Sequence, residues 1–526
     1  MILETIADLT ARSPAESRIV VVGSGAVGLY TADELAKRGH NVVVVESGAA
    51  ILDSFEPNTY TSVGRKHDGI RMGRSRSLGG TSNLWGGQLA EFQPVDLDGR
   101  EWVPGSKWPV GYEELAPYYR RTYENLGIAE ESQEDEAVWR QLRRNRPLLG
   151  EGLEVFLTRW LTTPSFAVSN AQQLETSRNL LVLTKHTAVD FRAADDVITA
   201  VEVIDRSAQA HLIEGNHFVL AAGTIETVRL LLHSATRPGW DCPWARNWHL
   251  GSRFQDHLGG RIATVHPNDR RQFFKTFSNI VVGGRKYQPK LRLANATLES
   301  NRILNIHGMF AFESSITENL VYLKQFAKAA IYSRKISGVR DLIANLRACS
   351  RYLVPIMWTY ARDHRIFEPR TSAISLVTQA EPFPLAESRL TIDRSAHDQN
   401  GLPRVVLDWK LSDHELESIR EFAIRSDRAL RAEQLARLQV DEDLLERDPQ
   451  FMAKLRDTNH QAGGAVMGVS ASSGVVDRDL RIFGTRNVYV AGAATFPTIS
   501  GANTTFTALA FATRLVDHLT STRALR

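Results

Sequence analysis

The sequence contains little cysteine and no long apolar run. Its 526 residues include two cysteines, Cys242 and Cys349, which can form at most one disulfide and so exclude a small secreted scaffold stabilised by many disulfides. Residues 1–18 lack the continuous apolar core of a signal peptide, and no later stretch reaches the roughly 18 uncharged apolar residues of a membrane span. We therefore expect a cytoplasmic protein that does not enter a membrane.

The net charge is also low. The 63 basic and 60 acidic side chains leave a net charge of +3 at pH 7, which creates no strong field to attract nucleic acid or anionic lipid. We expect neither as a partner. The length exceeds the roughly 250–300 residues at which a single core stops growing, so two domains, possibly interleaved, are expected.

The N-terminal region has the clearest local pattern. A β-branched run at residues 19–22 is followed by Gly-Ser-Gly-Ala-Val-Gly at residues 23–28, a helical stretch to Arg38, and a second apolar run at residues 42–45 that ends at Glu46. Strand, tight turn, helix and strand in this order are the context that a dinucleotide-binding fingerprint requires. The pattern predicts a dinucleotide site without indicating which dinucleotide binds.

Each glycine of this turn has a separate task. Gly23 permits the turn, Gly25 lets the backbone approach a pyrophosphate at the helix N-terminus, and Gly28 lets the helix pack on the strand. Glu46 is placed to accept hydrogen bonds from an adenosine ribose. The predicted contacts of this unit are Gly23, Gly25, Ala26, Val27, Gly28, Glu46 and Ser47.

Two later segments repeat the pattern of a strand followed by small residues. Strands are predicted at residues 217–220, before Ala221-Ala222-Gly223, and at residues 487–490, before Ala491-Gly492-Ala493. Each alone is as readily an ordinary strand-to-loop turn as a ligand contact. Together they suggest that distant segments return to one sheet.

A glycine-rich loop at residues 78–87 also stands out. It is interpreted either as a backbone surface for a flat polar ring or as a flexible surface loop. The basic run near it is interpreted as a solvated face rather than an anion site, and consists of Arg65, Lys66, Arg71, Arg74 and Arg76.

These segments, in this order, resemble the glucose-methanol-choline (GMC) oxidoreductase family over most of the chain. The resemblance also includes LGSRFQDH at residues 250–257 and the C-terminal block from His460 to Asp517, which contains HQAGGAVMG and GANTTFTALAFATRLVDHL. The family binds FAD, so the resemblance implies FAD and not NAD at the N-terminal unit. It also implies an active-site histidine at His460 and, at a position that is His or Asn in the family, Asn503.

The C-terminal block departs from the family pattern at three positions. Gly464 stands where threonine is common, Val466 where arginine is common, and Thr504 where proline is common. We expect the loop geometry to differ accordingly, with a roomier substrate surface near Gly464.

The chemistry of the two implied residues is intelligible from their side chains. Oxidising an alcohol moves a hydride to the flavin and a proton to a base, and neutral histidine is suited to taking that proton near neutral pH. Asn503 can donate its amide N–H to the substrate oxygen, but it cannot act as a base. The proton is therefore expected to go to His460.

The resemblance implies further cofactor contacts, and the glycine-rich loop indicates how FAD is held. Some sugar-oxidising members carry a histidine in this loop that bonds covalently to the flavin, whereas the loop here has none. We expect non-covalent FAD. The further predicted contacts are Gly79, Gly80, Thr81, Asn83, Leu84, Trp85, Gly86, Gly87, Val189, Ala221, Ala222, Gly223, Asp256, Gly492, Ala493, Asn503, Thr504 and Thr505.

The predicted fold is α/β, with a Rossmann-like FAD-binding domain interleaved with an α+β substrate domain built on an antiparallel sheet. We assign residues 1–95, 176–265 and 455–526 to the FAD-binding domain, and residues 96–175 and 266–454 to the substrate and cap domain. Strands are predicted at residues 373–379, 388–392 and 405–409, and helical stretches at 320–331 and 339–353. The three strands suit a sheet that floors the substrate pocket.

The middle of the chain offers two candidate substrate contacts, Gln379 and Trp358. The resemblance is closest to bacterial members related to pyranose and glycoside oxidases, which implies a small-molecule alcohol substrate, a secondary hydroxyl of a sugar or glycoside. An apolar ring alcohol is the other substrate class that the sequence leaves open. The electron acceptor, which is oxygen or another acceptor, and the oligomeric state are also left open. A lyase on the same scaffold, using His460 without net redox chemistry, is the alternative function.

Overall fold

The computed structural model describes residues 1–12, 18–51, 60–313, 343, 347, 349–350, 352–369 and 371–521. The predicted helical stretch at 320–331 lies outside these residues, and the one at 339–353 lies mostly outside them. Four sheets are described, with six, nine, three and three strands. In the described ranges, no helix has the length and apolar character needed to span a membrane.

The six-stranded sheet is parallel throughout and confirms the predicted α/β half of the fold. Its β-branched strands are buried along their whole length, as expected for a parallel sheet covered on both faces. In spatial order its strands are Ile2–Leu3, Leu180–Leu183, Asn41–Val45, Arg18–Val22, His217–Leu220 and Val488–Val490.

Three helices pack around this sheet and begin at the cavity described below. Ala26–Lys37 follows the first predicted strand, Thr224–Ser234 follows His217–Leu220, and Thr504–Thr520 lies in the C-terminal block. Thr504–Thr520 is buried along most of its length because it packs against both Ala26–Lys37 and Tyr112–Asn125. The two ends of the chain are therefore joined in one core.

The nine-stranded sheet is antiparallel and forms the second half of the fold. One of its faces packs on the helix His414–Ala432, where Phe422 lies against Gly308. Its main path runs through Ala436–Val440, Leu258–Pro267, Ala373–Ala380, Ile306–Glu313, Arg285–Leu293, Leu153–Trp160 and Gln88–Leu89, with Ile280–Val282 and Arg456–Asp457 paired beside it.

One predicted arrangement is wrong. The strands at residues 373–379, 388–392 and 405–409 all form, but only Ala373–Ala380 belongs to the nine-stranded sheet. Arg389–His397 and Pro403–Trp409 instead pair with each other and with Tyr60–Gly64 in a separate sheet. Alternating apolar and polar residues identify a strand but do not identify its partner.

The remaining elements complete the described chain. The second three-stranded sheet contains Thr187–Ala194, Val197–Ile204 and Ala210–Glu214. The other α-helices are Ile6–Arg12, Pro94–Leu97, Asp135–Gln141, Phe166–Ser169, Ala171–Thr176, Arg270–Phe277, Asn295–Asn301, Leu353–Asp363 and Glu442–Leu445, and the 3-10 helices are Gly80–Asn83, Glu130–Ser132, Pro449–Lys454 and Ala493–Thr495. Cys242 and Cys349 are both free thiols.

Candidate active site

A cavity of about 450 Å³ lies at the carboxyl ends of the parallel strands. The residues that follow three neighbouring strands line it, namely Gly23, Ala221 and Ala491. Ligands of open α/β sheets bind at this edge because the loops there leave a crevice between them. The sequence prediction that segments near residues 20, 220 and 490 meet is therefore confirmed by the fold.

The turn at residues 23–28 has the predicted conformation. Gly23 has a φ of +102°, and a Cβ placed there would lie 2.6 Å from the carbonyl oxygen of Ala221. A Cβ on Gly28 would lie 2.0 Å from the carbonyl oxygen of Gly23, so the helix Ala26–Lys37 packs directly on the turn. Gly25 caps that helix without a side-chain hydrogen bond, which leaves its first N–H groups directed at the cavity.

Glu46 lines the cavity, but much of its hydrogen-bonding capacity serves the turn. Its Oε2 accepts hydrogen bonds from the backbone N–H and the hydroxyl of Ser24, at 3.0 and 2.6 Å. Its Oε1 accepts one from the backbone N–H of Gly48 at 2.8 Å. Glu46 thus joins the ends of two neighbouring strands, a role that the sequence did not reveal.

The glycine-rich loop divides into residues that face the cavity and residues that pack on protein. Gly80, Thr81, Leu84 and Trp85 line the cavity. The predicted contacts that do not line it are Gly79, Asn83, Gly86 and Gly87.

Packing explains the three glycines, and a hydrogen bond explains Asn83. A Cβ on Gly79 would lie 2.9 Å from the Cβ of Ala167. A Cβ on Gly86 would lie 2.3 Å from the ring of Trp160, and one on Gly87 would lie 3.0 Å from Pro164. Asn83 donates to the carbonyl oxygen of Leu78 at 2.8 Å and so holds the loop closed. These residues shape the loop rather than the cavity surface.

Other predicted contacts are displaced by one residue or lie behind the cavity wall. Ala188 and Thr187 line the cavity, whereas the predicted Val189 is buried in the strand Thr187–Ala194, whose pairing with the next strand is irregular between Ala188 and Asp190. Gly28 supports the turn from behind. The remaining predicted contacts that line the cavity are Ala26, Val27, Ser47, Ala222, Gly223, Gly492, Ala493, Thr504 and Thr505.

The cavity fits FAD by its shape. A Cβ added to Gly25, Gly223 or Gly492 would meet no atom within 4 Å, so each of these glycines borders open space that a side chain would fill. The turn that presents helix N–H groups suits a pyrophosphate, and the small residues after each strand leave room for a flat ring. The described residues could therefore hold the dinucleotide along the line from Glu46 to His460.

His460 and Asn503 meet at one end of the cavity. The Nδ2 of Asn503 lies 2.9 Å from the Nε2 of His460. His460 lines the cavity directly, while Asn503 reaches it only through this contact. The Oδ1 of Asn503 has no hydrogen-bond partner in the described part of the chain. The two residues implied by the family resemblance are thus brought together.

A second histidine, His257, determines which nitrogen of His460 carries the proton. The Nε2 of His257 lies 2.9 Å from the carbonyl oxygen of Ser500, so this nitrogen must donate and the Nδ1 of neutral His257 must accept. That Nδ1 lies 3.0 Å from the Nδ1 of His460. His460 therefore carries its proton on Nδ1, and its Nε2 presents a lone pair towards Asn503 and the cavity.

Asp256 holds the loop that carries His460. Its Oδ1 accepts hydrogen bonds from the backbone N–H of His460 at 2.9 Å and of Thr458 at 3.3 Å. Its Oδ2 lies 3.0 Å from the Nε2 of His67. Asp256 does not line the cavity, because these protein contacts occupy it. It therefore positions the histidine rather than contacting the cavity as predicted.

His460 is neutral at physiological pH. Burial lowers its pKa to about 3, and the nearby His257 and Lys290 act in the same direction while Asp256 opposes them. Burial likewise lowers the pKa of His257. Since both rings are neutral, the tautomers inferred from the hydrogen bonds are the forms present near pH 7.

The interpretation of the basic run as a solvated face is wrong for two of its members. Arg74 and Arg76 line the cavity together with Glu226. Arg74 Nη2 lies 2.7 Å and Arg76 Nη2 3.6 Å from the Glu226 carboxylate. Burial alone would raise the pKa of Glu226, but Arg76, Arg74 and Arg229 hold it far below its usual range. The spacing of charges along the chain gave no sign of this buried cluster.

The two predicted substrate contacts lie in different places. Gln379 is buried in the nine-stranded sheet, and its Nε2 donates to the carbonyl oxygen of Gly501 at 2.7 Å, two residues before Asn503. Trp358 lies on the helix Leu353–Asp363 and is 62% exposed. Neither lines the cavity, so the structure brings only Gln379 close to the catalytic loop.

Comparison with known proteins assigns the family. An FAD dependent oxidoreductase family model matches residues 18–303, and a GMC oxidoreductase family model matches residues 384–512, which include His460 and Asn503.

Two curated relatives are similar in sequence. The fructose dehydrogenase large subunit of Gluconobacter japonicus is 21% identical, over 95% of this chain and 97% of that protein. Paromamine 6'-oxidase of Streptomyces fradiae is 31% identical over 124 residues, which are 21% of this chain and 23% of that protein.

Two solved structures share the fold. Pyridoxine 4-oxidase from Mesorbium loti superimposes with a TM-score of 0.58 at 17% identity, over 95% of this chain and 99% of that chain. A fungal aryl-alcohol oxidase superimposes with a TM-score of 0.55 at 16% identity, over 96% of this chain and 99% of that chain.

With the two family matches, we conclude that the chain belongs to the GMC family of FAD-dependent oxidoreductases and is an FAD-dependent alcohol oxidase or dehydrogenase.

Proposed function

We propose that this chain oxidises a secondary hydroxyl of a sugar or glycoside to a ketone, with His460 as the base. The observation that carries the proposal is the position of His460 Nε2, which His257 leaves unprotonated and which lies 2.9 Å from the Asn503 amide beside the cavity. Two relatives with carbohydrate names, a fructose dehydrogenase and a paromamine oxidase, support a substrate of this class.

In this proposal the chain's residues handle the proton. The Nε2 of His460 takes the proton of the substrate hydroxyl, and the Asn503 amide donates to the oxygen as it becomes an alkoxide. The Asp256 carboxylate, which accepts from the His460 backbone N–H, stabilises the positive ring that results. Bound FAD supplies the acceptor for the hydride that leaves the carbon.

Three further features remain proposals. The cofactor is held without a covalent bond, since the loop at residues 80–85 carries no histidine. The FAD-binding domain comprises residues 1–95, 176–265 and 455–526, with the substrate domain between them. The protein works in the cytoplasm.

Anaerobic flavin reduction tests the function. We expect a panel of sugars, O- and C-glycosides and sterols to contain one carbohydrate class that bleaches the oxidised flavin band much faster than the others. In His460→Ala, FAD should stay bound while the rate of bleaching falls by at least about 100-fold, the low end for loss of a general base. Stopped-flow absorbance measures both quantities.

Other outcomes contradict the proposal in distinguishable ways. Product formation without bleaching supports the lyase alternative instead. Bleaching by sterols alone excludes the carbohydrate class. An unchanged rate in His460→Ala assigns the proton to another group.

A further inference from the structure

The nine-stranded sheet turns a polar face towards the catalytic loop. Directly opposite residues of neighbouring strands share a face, and the register pairs Lys290 with Phe156 and His307 with Gln379. Arg292, two residues from Lys290, is opposite His307. Lys290, His307 and Gln379 therefore lie on one face, and the other face packs on the helix His414–Ala432 through Gly308.

This polar face touches the segment that carries Asn503. A Cβ placed on Gly501 would lie 2.9 Å from the ring of His307, so the two are in direct contact. Gln379 binds the carbonyl oxygen of the same Gly501 at 2.7 Å. Phe156 stacks beside His307 with ring centroids 4.6 Å apart. The face thus borders the catalytic pair from the side of the substrate domain.

Lys290 is a buried cation for which the described residues provide no counter-charge. Its residue is 1% exposed, and its Nζ has no hydrogen-bond partner in the described ranges. Burial lowers its pKa to about 8, so the ammonium form still predominates at neutral pH. Both ring nitrogens of the neighbouring His307 also lack partners in those ranges.

Such a residue needs an explanation because a buried, unpaired ammonium is costly to folding. A methionine of similar length would fill the same space without that cost. His307 cannot supply the missing negative charge, since a neutral imidazole has one donor and one acceptor. Burial strongly lowers the pKa of His307, and the charge of Lys290 lowers it further. The pair lacks an anion.

We propose that Lys290 is the counter-charge for an anionic oxygen group of the substrate, a carboxylate or a phosphate, with His307 as a hydrogen-bonding neighbour. The alcohol that His460 deprotonates is then an acidic sugar or glycoside. The inference rests on the proposed function and adds the substrate's charge to it. The same ammonium disfavours amino sugars, because two like charges would be buried together.

A matched set of substrates tests this proposal in the FAD-loaded enzyme. Flavin reduction is compared for glucose, glucuronate, glucose 6-phosphate and glucosamine in the unchanged enzyme, in Lys290→Met and in Lys275→Met. Lys275→Met is a suitable control because it removes the same charge at a different place. Lys275 lies on the helix Arg270–Phe277 and pairs with Asp363 at 3.3 Å.

In the unchanged enzyme and in Lys275→Met, we expect at least one acidic sugar to react at least about tenfold faster than glucose at subsaturating concentration. The acidic sugar can form a hydrogen bond to the charged Lys290, and glucose cannot form that bond with an anionic group. Glucosamine should react most slowly. In Lys290→Met the preference should disappear, so that the ratio of the acidic-sugar rate to the glucose rate falls to about one. A faster reaction of glucuronate would identify a carboxylate as the preferred group, and a faster reaction of glucose 6-phosphate would identify a phosphate.

Thermal stability is the second measurement. Lys290→Met should fold, retain FAD and melt at a temperature no lower than the unchanged enzyme, because a buried unpaired charge has been removed. Acidic sugars should raise the melting temperature of the unchanged enzyme but not that of Lys290→Met, since a ligand stabilises only the state that binds it.

Equal rates for glucose and both acidic sugars would overturn the anionic subsite and leave alcohol oxidation intact. A Lys290→Met variant that slows glucose and glucuronate equally would also overturn it, and would indicate that the lysine acts on His460. If no sugar reduces the flavin, the proposed function fails. The melting shifts then still decide whether Lys290 binds anions.

Discussion

At the scale of single residues, the pair formed by His257 and His460 is the central feature of this site. His257 donates from Nε2 to a backbone carbonyl and accepts at Nδ1, so it determines the tautomer of His460. Thr458 Oγ1, 2.8 Å from the same Nδ1 of His460, is a second possible acceptor. The base is therefore oriented through its Nδ1 by two groups, His257 and Thr458.

We expect His257→Leu to reduce the rate of flavin reduction at saturating substrate by at least about tenfold, because part of the His460 population would then carry its proton on Nε2. The dissociation constant for substrate should change less than the rate. His257→Gln, whose side-chain carbonyl can accept from Nδ1, should recover part of the loss. Stopped-flow bleaching at several substrate concentrations separates the rate from the affinity.

The control for this prediction is Thr458→Val, which removes the second orienting group alone. In the double variant His257→Leu/Thr458→Val, the rate of flavin reduction should be almost as low as in His460→Ala. If His257→Leu binds FAD and bleaches it at the original rate, then His257 has no part in orienting the base.

At the scale of secondary structure elements, local sequence patterns correctly predicted the turns and strands that depend on residues close together in the chain. The turn at residues 23–28 and the strand His217–Leu220 form as the sequence indicated. Val189 illustrates the limit, since Thr187 and Ala188 line the cavity whereas Val189 is buried beside an irregularity in the strand pairing. The partner of Arg389–His397 could not be predicted, because strand pairing depends on contacts distant in sequence.

The glycine-rich loop leads to a prediction about flavin attachment. Its cavity-facing members, Gly80, Thr81, Leu84 and Trp85, carry no nucleophile able to bond the flavin ring. The histidines among the cavity residues are His186, beside Glu46 at the adenosine end, and the base His460. We expect acid precipitation of the enzyme to release all the yellow chromophore into the supernatant.

Absorbance of pellet and supernatant checks this. The His460→Ala variant is a matched control. If the colour stays on the unchanged polypeptide but not on this variant, His460 is the attachment point. Colour retained by both proteins would contradict non-covalent binding and assign attachment to another residue.

At the scale of the whole molecule, the site exists only because the chain returns to it several times. His257 follows a loop from the middle of the sequence, His460 precedes the last parallel strand, and Asn503 caps the final helix. The family resemblance indicated His460 and Asn503. The hydrogen bond to His257, the pairing of Arg74 and Arg76 with Glu226, and the burial of Lys290 all depend on contacts between segments far apart in the sequence, which no local pattern encodes.

This assembly buries several neutral histidines, and their burial makes folding stability depend on pH. Burial lowers the pKa of His460 to about 3, and lowers the pKa values of His257 and His307 as well. An unfolded histidine has a pKa near 6.5. Between these values the unfolded chain binds protons that the folded chain does not, so stability should fall as the pH decreases below about 6.5.

The loss approaches about 1.4 kcal/mol per pH unit for each such histidine. We therefore expect the melting temperature, measured with saturating FAD, to fall steeply between pH 6.5 and pH 5. His460→Gln should show a shallower fall, because one of the titrating groups is gone. Equal slopes in the two proteins would mean that His460 has nearly the same pKa in the folded enzyme as in the unfolded chain, which would contradict the lowering of that pKa by burial.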